Sequence, residues 1–248
     1  MNPDFDLHQW LIAALAAFSV GLSKSGFAGI GILPVILMAE IMPARESTGA
    51  LLPMLIVGDI FAVLAFKKHA QWNHVIRLLP PAIVGVVLGW AIMGKIPTGH
   101  FRILMGLIVL LMVVLEIFRR LRPKLFEQIP HTHAFAWSMG GWAGVTTMLA
   151  NAAGPVMIMY LLAVDLPKLQ FVGTSAWFFL ILNLSKVPFS YHLGLINMDT
   201  LTLNLIMVPI VGLGVLGGRL LIGFIPQRLF VTLVLVFAGL ASIRLIWF

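Results

Sequence analysis

The segment Gly21–Ile41 places a lysine, two hydroxyl side chains and four glycines inside an otherwise apolar run. A charged side chain at bilayer depth is energetically costly and therefore usually marks a functional site. Short apolar segments interrupted by glycine are also the best sequence indication of a transporter binding site. We therefore interpret Ser23, Lys24, Ser25 and Gly26 as a first break between two half-helices, with Lys24 at its tip.

A second break interrupts a later apolar run, and we predict that it is the counterpart of the first. It contains Thr146 and Thr147, then Asn151, and then Gly154 with Pro155. Proline is well tolerated at the first position of a helix, and Asn151 can cap a helix or donate a hydrogen bond. Backbone N–H groups at half-helix N-termini, hydroxyls and an ammonium together suit an anion. We assign substrate binding to Ser23, Lys24, Ser25 and Gly26 of the first break and to Thr146, Asn151 and Gly154 of the second.

Two further spans carry polar residues that could face the same site. Thr174, Asn183 and Lys186 share one apolar segment, and the spacing of Asn183 and Lys186 puts both on one helical face. Lys186 then offers a second cation, although it could also simply end the span. Asp59 lies deep in another span, where a carboxylate either pairs with a cation or takes up a proton. We expect Asp59 to neutralise a lysine or carry a coupling proton; the alternative is a structural hydrogen bond.

Composition and motifs exclude several classes of protein. Of the 248 residues, 60% are hydrophobic and 10% are charged, against about 45–50% and about 25% in soluble domains. The positive net charge is clustered beside the apolar segments, as in cytoplasmic loops, so we expect contact with lipid headgroups and none with nucleic acid. His131 and His133 lie in a basic linker with few carboxylates, so we expect no metal and no cofactor. No P-loop, HExxH or GxSxG motif occurs, and we predict that the protein is not an enzyme.

Turn-forming residues divide the chain into ten apolar segments. A full membrane crossing needs about 17–25 residues. Six segments satisfy this, and the four short ones form two pairs at the two breaks. The segments lie at 7–22, 27–41, 44–66, 73–94, 99–121, 133–149, 155–165, 168–190, 198–222 and 225–247.

The two halves of the chain resemble one another. Small residues four apart let helices approach closely, and such pairs recur at one constant offset with their flanking residues. We therefore predict repeat 1 over 1–121, a cytoplasmic linker over 122–132 and repeat 2 over 133–248. The matched positions are Gly85, Gly89, Gly94, Ile96, Pro97 and Phe101 against Gly214, Gly218, Gly223, Ile225, Pro226 and Phe230.

The distribution of charge predicts the topology of the repeats. Lys67–Lys68 and Arg119–Lys124 are the signature of cytoplasmic loops, and two segments separate them. We predict an all-α integral membrane protein in which each repeat is a re-entrant helical hairpin followed by three transmembrane helices. An odd number of crossings would make the two repeats inverted. The alternative is one broken helix for each short pair, which would give parallel repeats.

The sequence resembles the sulfite exporter TauE/SafE family, also called the 4-toluene sulfonate uptake permease family. The resemblance is carried by GLSKSGFAGIGILP, LLPMLIVGDIFAVLAFKKHAQW, NAAGPVMIMYLL and FVGTSAWFFLILNLSKVP. It implies secondary transport of a small sulfur-containing or organic anion, such as sulfite, sulfoacetate or another sulfonate. At matching motif positions stand Lys24, Asp59, Asn151, Thr174, Asn183 and Lys186.

Together these arguments predict a multi-pass protein of the bacterial inner membrane that moves a small anion by alternating access. Asp59 is the candidate proton carrier. The expected partners are the anionic substrate and membrane lipids, and a homodimer is compatible with the sequence. An anion channel or passive pore is the alternative function, and a membrane-embedded accessory protein is a third.

Overall fold

The computed structural model describes residues 5–25, 30–122, 132–221 and 227–247. These residues form ten α-helices and contain no strand, which confirms the predicted all-α class. Short 3-10 turns at Ile30–Ile32 and Lys67–His69 precede the second and fourth helices. The helices are α1 (Leu7–Lys24), α2 (Leu33–Ile41), α3 (Ala44–Phe66), α4 (Trp72–Lys95), α5 (Thr98–Leu121), α6 (His133–Ala150), α7 (Gly154–Ala163), α8 (Lys168–His192), α9 (Met198–Leu221) and α10 (Gln227–Trp247).

Within the described ranges, five helices are long and apolar enough to cross a membrane, and they correspond to α3, α4, α5, α8 and α9. Shorter apolar helices cover Ile30–Ile41, Gly154–Ala163 and Thr232–Trp247. The long helices also expose large apolar side chains such as Leu64 and Leu205, as expected for surfaces that face lipid. The chain is therefore a multi-pass membrane protein, while the predicted sixth crossing by α10 stays a prediction.

Local sequence explains where several helices begin. The Asp6 carboxylate accepts a hydrogen bond from the Gln9 N–H, and the Gln9 side chain accepts one from the Asp6 N–H, so α1 starts with a capping box. Prolines at 43, 97 and 167 directly precede α3, α5 and α8. Proline lacks a backbone N–H and cannot continue a preceding helix. Each proline therefore separates a long helix from the segment before it.

Glycines bring α1 against α9 and α6 against α4. Gly21 lies against Gly214, and Gly144 lies against Gly85. A Cβ atom on any of these four glycines would collide with backbone atoms of the facing helix. The repeated pattern thus produces the same close packing in two helix pairs, although Gly223, Ile225 and Pro226 of the second half lie outside the described residues.

The central helices α3 and α8 are antiparallel neighbours. Gly49, near the start of α3, packs on Leu195 just beyond the end of α8. Gly173, near the start of α8, packs on Phe66 at the end of α3. Because α3 and α8 occupy equivalent places in the two halves, their antiparallel contact supports inverted repeats, which remain a prediction.

Candidate functional site

A cavity of about 420 Å³ lies between the two breaks. Its volume falls in the range of small-molecule sites, about 300–1,000 Å³. Its polar lining side chains are Ser23, Lys24, Thr147, Asn151, Ser175 and Asn183. Its apolar lining includes Leu55, Ile158, Leu162, Leu166, Phe171 and Phe179.

The second break is built around Asn151. Helix α6 ends at Ala150, and Asn151 adopts a left-handed conformation with φ 50° and ψ 28°. Asparagine tolerates this conformation better than other residues with a side chain. The N–H groups of Asn151 and Ala152 donate to the Thr147 and Thr146 carbonyls at 2.9 and 3.3 Å. Helix α6 therefore does not continue past Asn151, and α7 begins three residues later at Gly154.

Both half-helices present an uncapped N-terminal turn to the cavity. Neither α2 nor α7 has a side-chain cap, and both carry a proline in the first turn, Pro34 and Pro155. Ile32, Gly154 and Pro155 line the cavity. Because the N-terminal end of a helix carries a partial positive charge, these turns favour an anion beside them. The α-helix of the first half starts later than the predicted segment 27–41, at Leu33 rather than directly after the first break.

Lys24 reaches the cavity from the last turn of α1. Its Nζ lies 2.6 Å from Asp59 Oδ1, and the Asp59 side chain is fully buried whereas that of Lys24 is 14% exposed. Gly58 leaves room for the lysine stem, since a Cβ there would lie 3.1 Å from Lys24 Cγ. The ammonium also lies 4.9 Å from the centre of the Phe179 ring, a favourable position for a cation. Asp59 thus pairs with a lysine, the first of the roles considered for it.

Asn183 connects this ion pair to the second lysine. Its Nδ2 donates to Asp59 Oδ2 at 2.7 Å, and its Oδ1 accepts from Lys186 Nζ at 3.1 Å. The ammonium of Lys186 also donates to Asn151 Oδ1 at 2.5 Å and to Thr147 Oγ1 at 3.1 Å. Six side chains therefore form one hydrogen-bonded group, which we call the polar cluster: Lys24, Asp59, Thr147, Asn151, Asn183 and Lys186.

The polar cluster contains two ammonium groups and one carboxylate. Asp59 pairs with Lys24, and in the part of the chain that the structure describes no carboxylate forms an ion pair with Lys186. Lys186 is 2% exposed and is held by neutral oxygens alone. With both lysines protonated and Asp59 ionised, the cluster carries one excess positive charge next to the cavity.

The structure brings together most of the predicted site residues. Ser23, Lys24, Asn151, Gly154 and Asn183 line the cavity. Asp59 and Lys186 stand behind this lining and contact it through the hydrogen bonds described above. Gly26 and His131 lie outside the described residues.

Three predicted residues do not line the cavity, and their role in substrate binding stays a prediction. The hydroxyl of Ser25 donates to the Val215 carbonyl at 2.8 Å and joins α1 to α9. The hydroxyl of Thr146 is directed to carbonyls of its own helix. The hydroxyl of Thr174 accepts from the Gln71 N–H at 2.9 Å and fixes the start of α4.

The site also contains residues that the sequence analysis did not select. Thr147 was placed in the second break, but binding was assigned to its neighbour Thr146. Ser175 and Phe179 lie eight and four residues before Asn183, on the same helical face, and both line the cavity. Helical spacing from Asn151 and Asn183 would have identified all three.

Interrupted helices around a polar cavity in a multi-pass membrane protein are typical of membrane transporters. The family model described as "Sulfite exporter TauE/SafE" matches residues 11–245. The chain therefore belongs to the sulfite exporter TauE/SafE family of membrane transporters, as the resemblance predicted. Comparison with curated proteins gives no match.

Proposed function

We propose that the protein is a secondary transporter that binds a small sulfur-containing or organic anion between the two breaks. The observation that carries this proposal is that two lysines, Lys24 and Lys186, share one carboxylate in the polar cluster beside the cavity. The uncapped first turns of α2 and α7 add partial positive charge on the same cavity. Sulfite, sulfoacetate and other sulfonates are the expected substrates, and the bacterial inner membrane is the expected location.

Lys24 is the direct substrate contact in this proposal. Its ammonium lies at the cavity wall and already holds one oxyanion, the Asp59 carboxylate. An incoming sulfite or sulfonate group offers the same kind of acceptor, and charge-assisted hydrogen bonds of this type are the strong ones. The substrate would therefore share or take over the Lys24 ammonium, with Ser23 and the first turn of α7 beside it.

The contrast between the two halves supports alternating access. Ile158 and Leu162 of α7 line the cavity. The residues at the same distances from Pro34 in α2, Leu37 and Ile41, are buried in the core. The cavity thus extends further along α7 than along α2. Rocking of the two repeats would reverse this difference and open the site to the opposite side of the membrane.

Asp59 is the candidate coupling group. A proton on Asp59 would abolish its charge and release Lys24 for the anion, so proton uptake and anion binding would support each other. We expect Asp59→Asn to abolish the pH dependence of transport in reconstituted vesicles. Transport by this variant that kept the wild-type pH dependence would exclude Asp59 as the proton carrier.

The proposal is tested by thermal stabilisation of the purified protein with sulfur oxyanions, sulfonates and carboxylates. A ligand that binds only the folded state raises its stability according to the ratio of ligand concentration to Kd. We expect a shift with sulfite or a sulfonate that is lost in Lys24→Ala and kept in Lys95→Ala, which removes an exposed lysine. Equal shifts in wild type and Lys24→Ala would refute the site.

Flux measurements separate the carrier from an anion channel. A carrier with one occluded site saturates as the substrate concentration rises, whereas a pore conducts without saturating at similar concentrations. We expect saturation because the cavity between the two breaks presents a single polar cluster for the anion.

A further inference from the structure

We infer that Lys186 sets the valence of the substrate, so that the polar cluster with Asp59 ionised prefers an anion with a single negative charge. With Asp59 protonated, the same charge count favours a dianion such as sulfoacetate. This inference rests on the proposed function, because it concerns the same anion site. It assigns to Lys186 the role of a specificity-determining residue that acts without touching the substrate.

The hydrogen bonds around Lys186 fit a protonated lysine. An ammonium has three protons to donate and no acceptor, and three oxygens lie within 3.1 Å of Nζ. The orientation of both amides is fixed from outside. Asn151 Nδ2 donates to the Thr48 carbonyl at 2.9 Å, and Asn183 Nδ2 donates to Asp59. Both amide oxygens must therefore face Lys186, where only a donor satisfies them.

Lys186 acts through its charge and not through contact. It does not line the cavity, whereas its three acceptors, Thr147, Asn151 and Asn183, all do. Its ammonium thus lies directly behind the polar wall of the cavity. The bridge through Asn183 also places it next to the pair of Lys24 and Asp59, the other charged groups of the cluster.

The net charge of the polar cluster together with its bound anion determines which valence is preferred. An unbalanced charge in a buried site is costly, and a matching opposite charge removes most of the cost. With Asp59 ionised, one monoanion makes the cluster and its ligand neutral, while a dianion leaves one excess negative charge. Neutral Asp59 would raise the excess to two positive charges, which matches a dianion. The site in its ionised state therefore prefers monoanions.

Sulfate and methanesulfonate are matched probes of similar size. Methanesulfonate has a methyl group in place of one sulfate oxygen and carries one negative charge, whereas sulfate carries two. Binding of each is measured by thermal stabilisation of the purified full-length protein at one fixed pH and ionic strength. We expect wild type to bind methanesulfonate at least about tenfold more tightly than sulfate, since one unit of buried charge differs between the complexes. Lys186→Met should lose at least about tenfold in methanesulfonate affinity. Lys95→Met, which removes an exposed lysine, should behave as wild type.

A pair of charge-compensating substitutions distinguishes an effect of the Lys186 charge from a structural effect. A structural role of Lys186 would not change the preference between methanesulfonate and sulfate in step with the charge. Asp59→Asn adds one positive charge to the cluster and should shift the preference toward sulfate. The double variant Asp59→Asn with Lys186→Met returns the excess to one positive charge, and we expect it to regain a preference for methanesulfonate. If Lys186→Met does not fold, Lys186→Gln, alone and together with Asp59→Asn, removes the same charge and keeps a hydrogen-bond donor for the two amide oxygens.

The inference fails separately from the proposed function. Anion binding by wild type with the same valence preference in wild type, Asp59→Asn and the double variant would overturn the role of Lys186 and leave the anion site intact. Wild-type protein that binds neither methanesulfonate, sulfate nor the wider anion panel would overturn the proposed function, and this inference with it.

Discussion

The two breaks share their packing but differ in their chemistry. Lys24 follows Gly21 by three residues, and Thr147 follows Gly144 by three residues. Both glycines make the same close contact with the facing helix. The same place in the scaffold thus carries a cation in the first half and a hydroxyl in the second.

Helices α3 and α8 also carry different chemical groups at equivalent positions. Asp59 lies sixteen residues after Pro43, and Asn183 lies sixteen residues after Pro167. These equivalent residues meet directly through a hydrogen bond of 2.7 Å. Three residues further on, Lys186 of α8 stands where α3 has only an alanine. The comparison teaches that positions with matching packing or spacing in the two halves carry different charges.

The largest expected effect tests the shared packing. Gly21→Ala and Gly144→Ala each add a Cβ that collides with backbone atoms of the facing helix, and backbone cannot move aside as a flexible side chain can. We expect each variant to lose about 3 kcal/mol or more of stability, the upper range for overpacking. The measurement is thermal unfolding and yield of the purified protein.

Gly99→Ala is the matched control, because a Cβ at Gly99 meets no atom within 4 Å. It should unfold at the wild-type temperature or slightly above it. A large loss of stability in Gly144→Ala with no loss in Gly21→Ala would show that the two breaks do not share their packing.

A smaller effect tests the difference in chemistry. Asp59→Ala leaves Lys24 without its carboxylate, and breaking a buried ion pair costs about 3–5 kcal/mol. Asn183→Ala removes neutral hydrogen bonds from Asp59 and Lys186, at about 1–3 kcal/mol. We expect Asp59→Ala to unfold at the lower temperature of the two.

Adding Lys24→Met to Asp59→Ala provides the control for this comparison of unfolding temperatures. Removing both partners of the ion pair leaves Lys186 as the one charged group of the polar cluster, whereas Asp59→Ala alone leaves two ammonium groups without a carboxylate. Lys24→Met with Asp59→Ala should therefore be more stable than Asp59→Ala alone. Equal unfolding temperatures for the single and double variants would mean that the ion pair contributes little to the fold.

Much of this architecture follows from the sequence because the signals are local. A lysine between glycines predicts the first break, and Asn151 with Gly154 and Pro155 predicts the second. Apolar length predicts the long helices to within a few residues. Asp59 and Asn183 each lie sixteen residues after the proline that precedes their helix, so the sequence alone marks them as equivalent positions.

The direction of individual side chains could not be predicted so well. Successive residues of an α-helix point about 100° apart, so a shift of one residue turns a lining side chain into a packing one. Thr146 and Thr147 show this directly. The contact of Thr174 could not be predicted for a different reason, since its partner Gln71 is 103 residues away and no local pattern indicates that contact.

The smallest expected effect uses two serines of the first break to separate binding from packing. The Ser23 hydroxyl faces the cavity and donates to the Val20 carbonyl of its own helix at 2.7 Å. The Ser25 hydroxyl donates across to α9 at 2.8 Å. We expect Ser25→Ala to cost about 1 kcal/mol of stability, the usual value of one hydrogen bond, with unchanged anion affinity. We expect Ser23→Ala to weaken methanesulfonate binding about threefold, less than 1 kcal/mol, with unchanged stability.

Each serine serves as the control for the other, because both substitutions remove one hydroxyl from the same turn. Thermal unfolding without ligand measures the packing term, and the shift on adding methanesulfonate measures the binding term. If both variants lost affinity equally, the first break would respond as one unit and the direction of a side chain would not decide its role. If the two effects separate, substrate contact in this half is confined to the face of α1 that carries Ser23 and Lys24, and the opposite face serves the contact with α9.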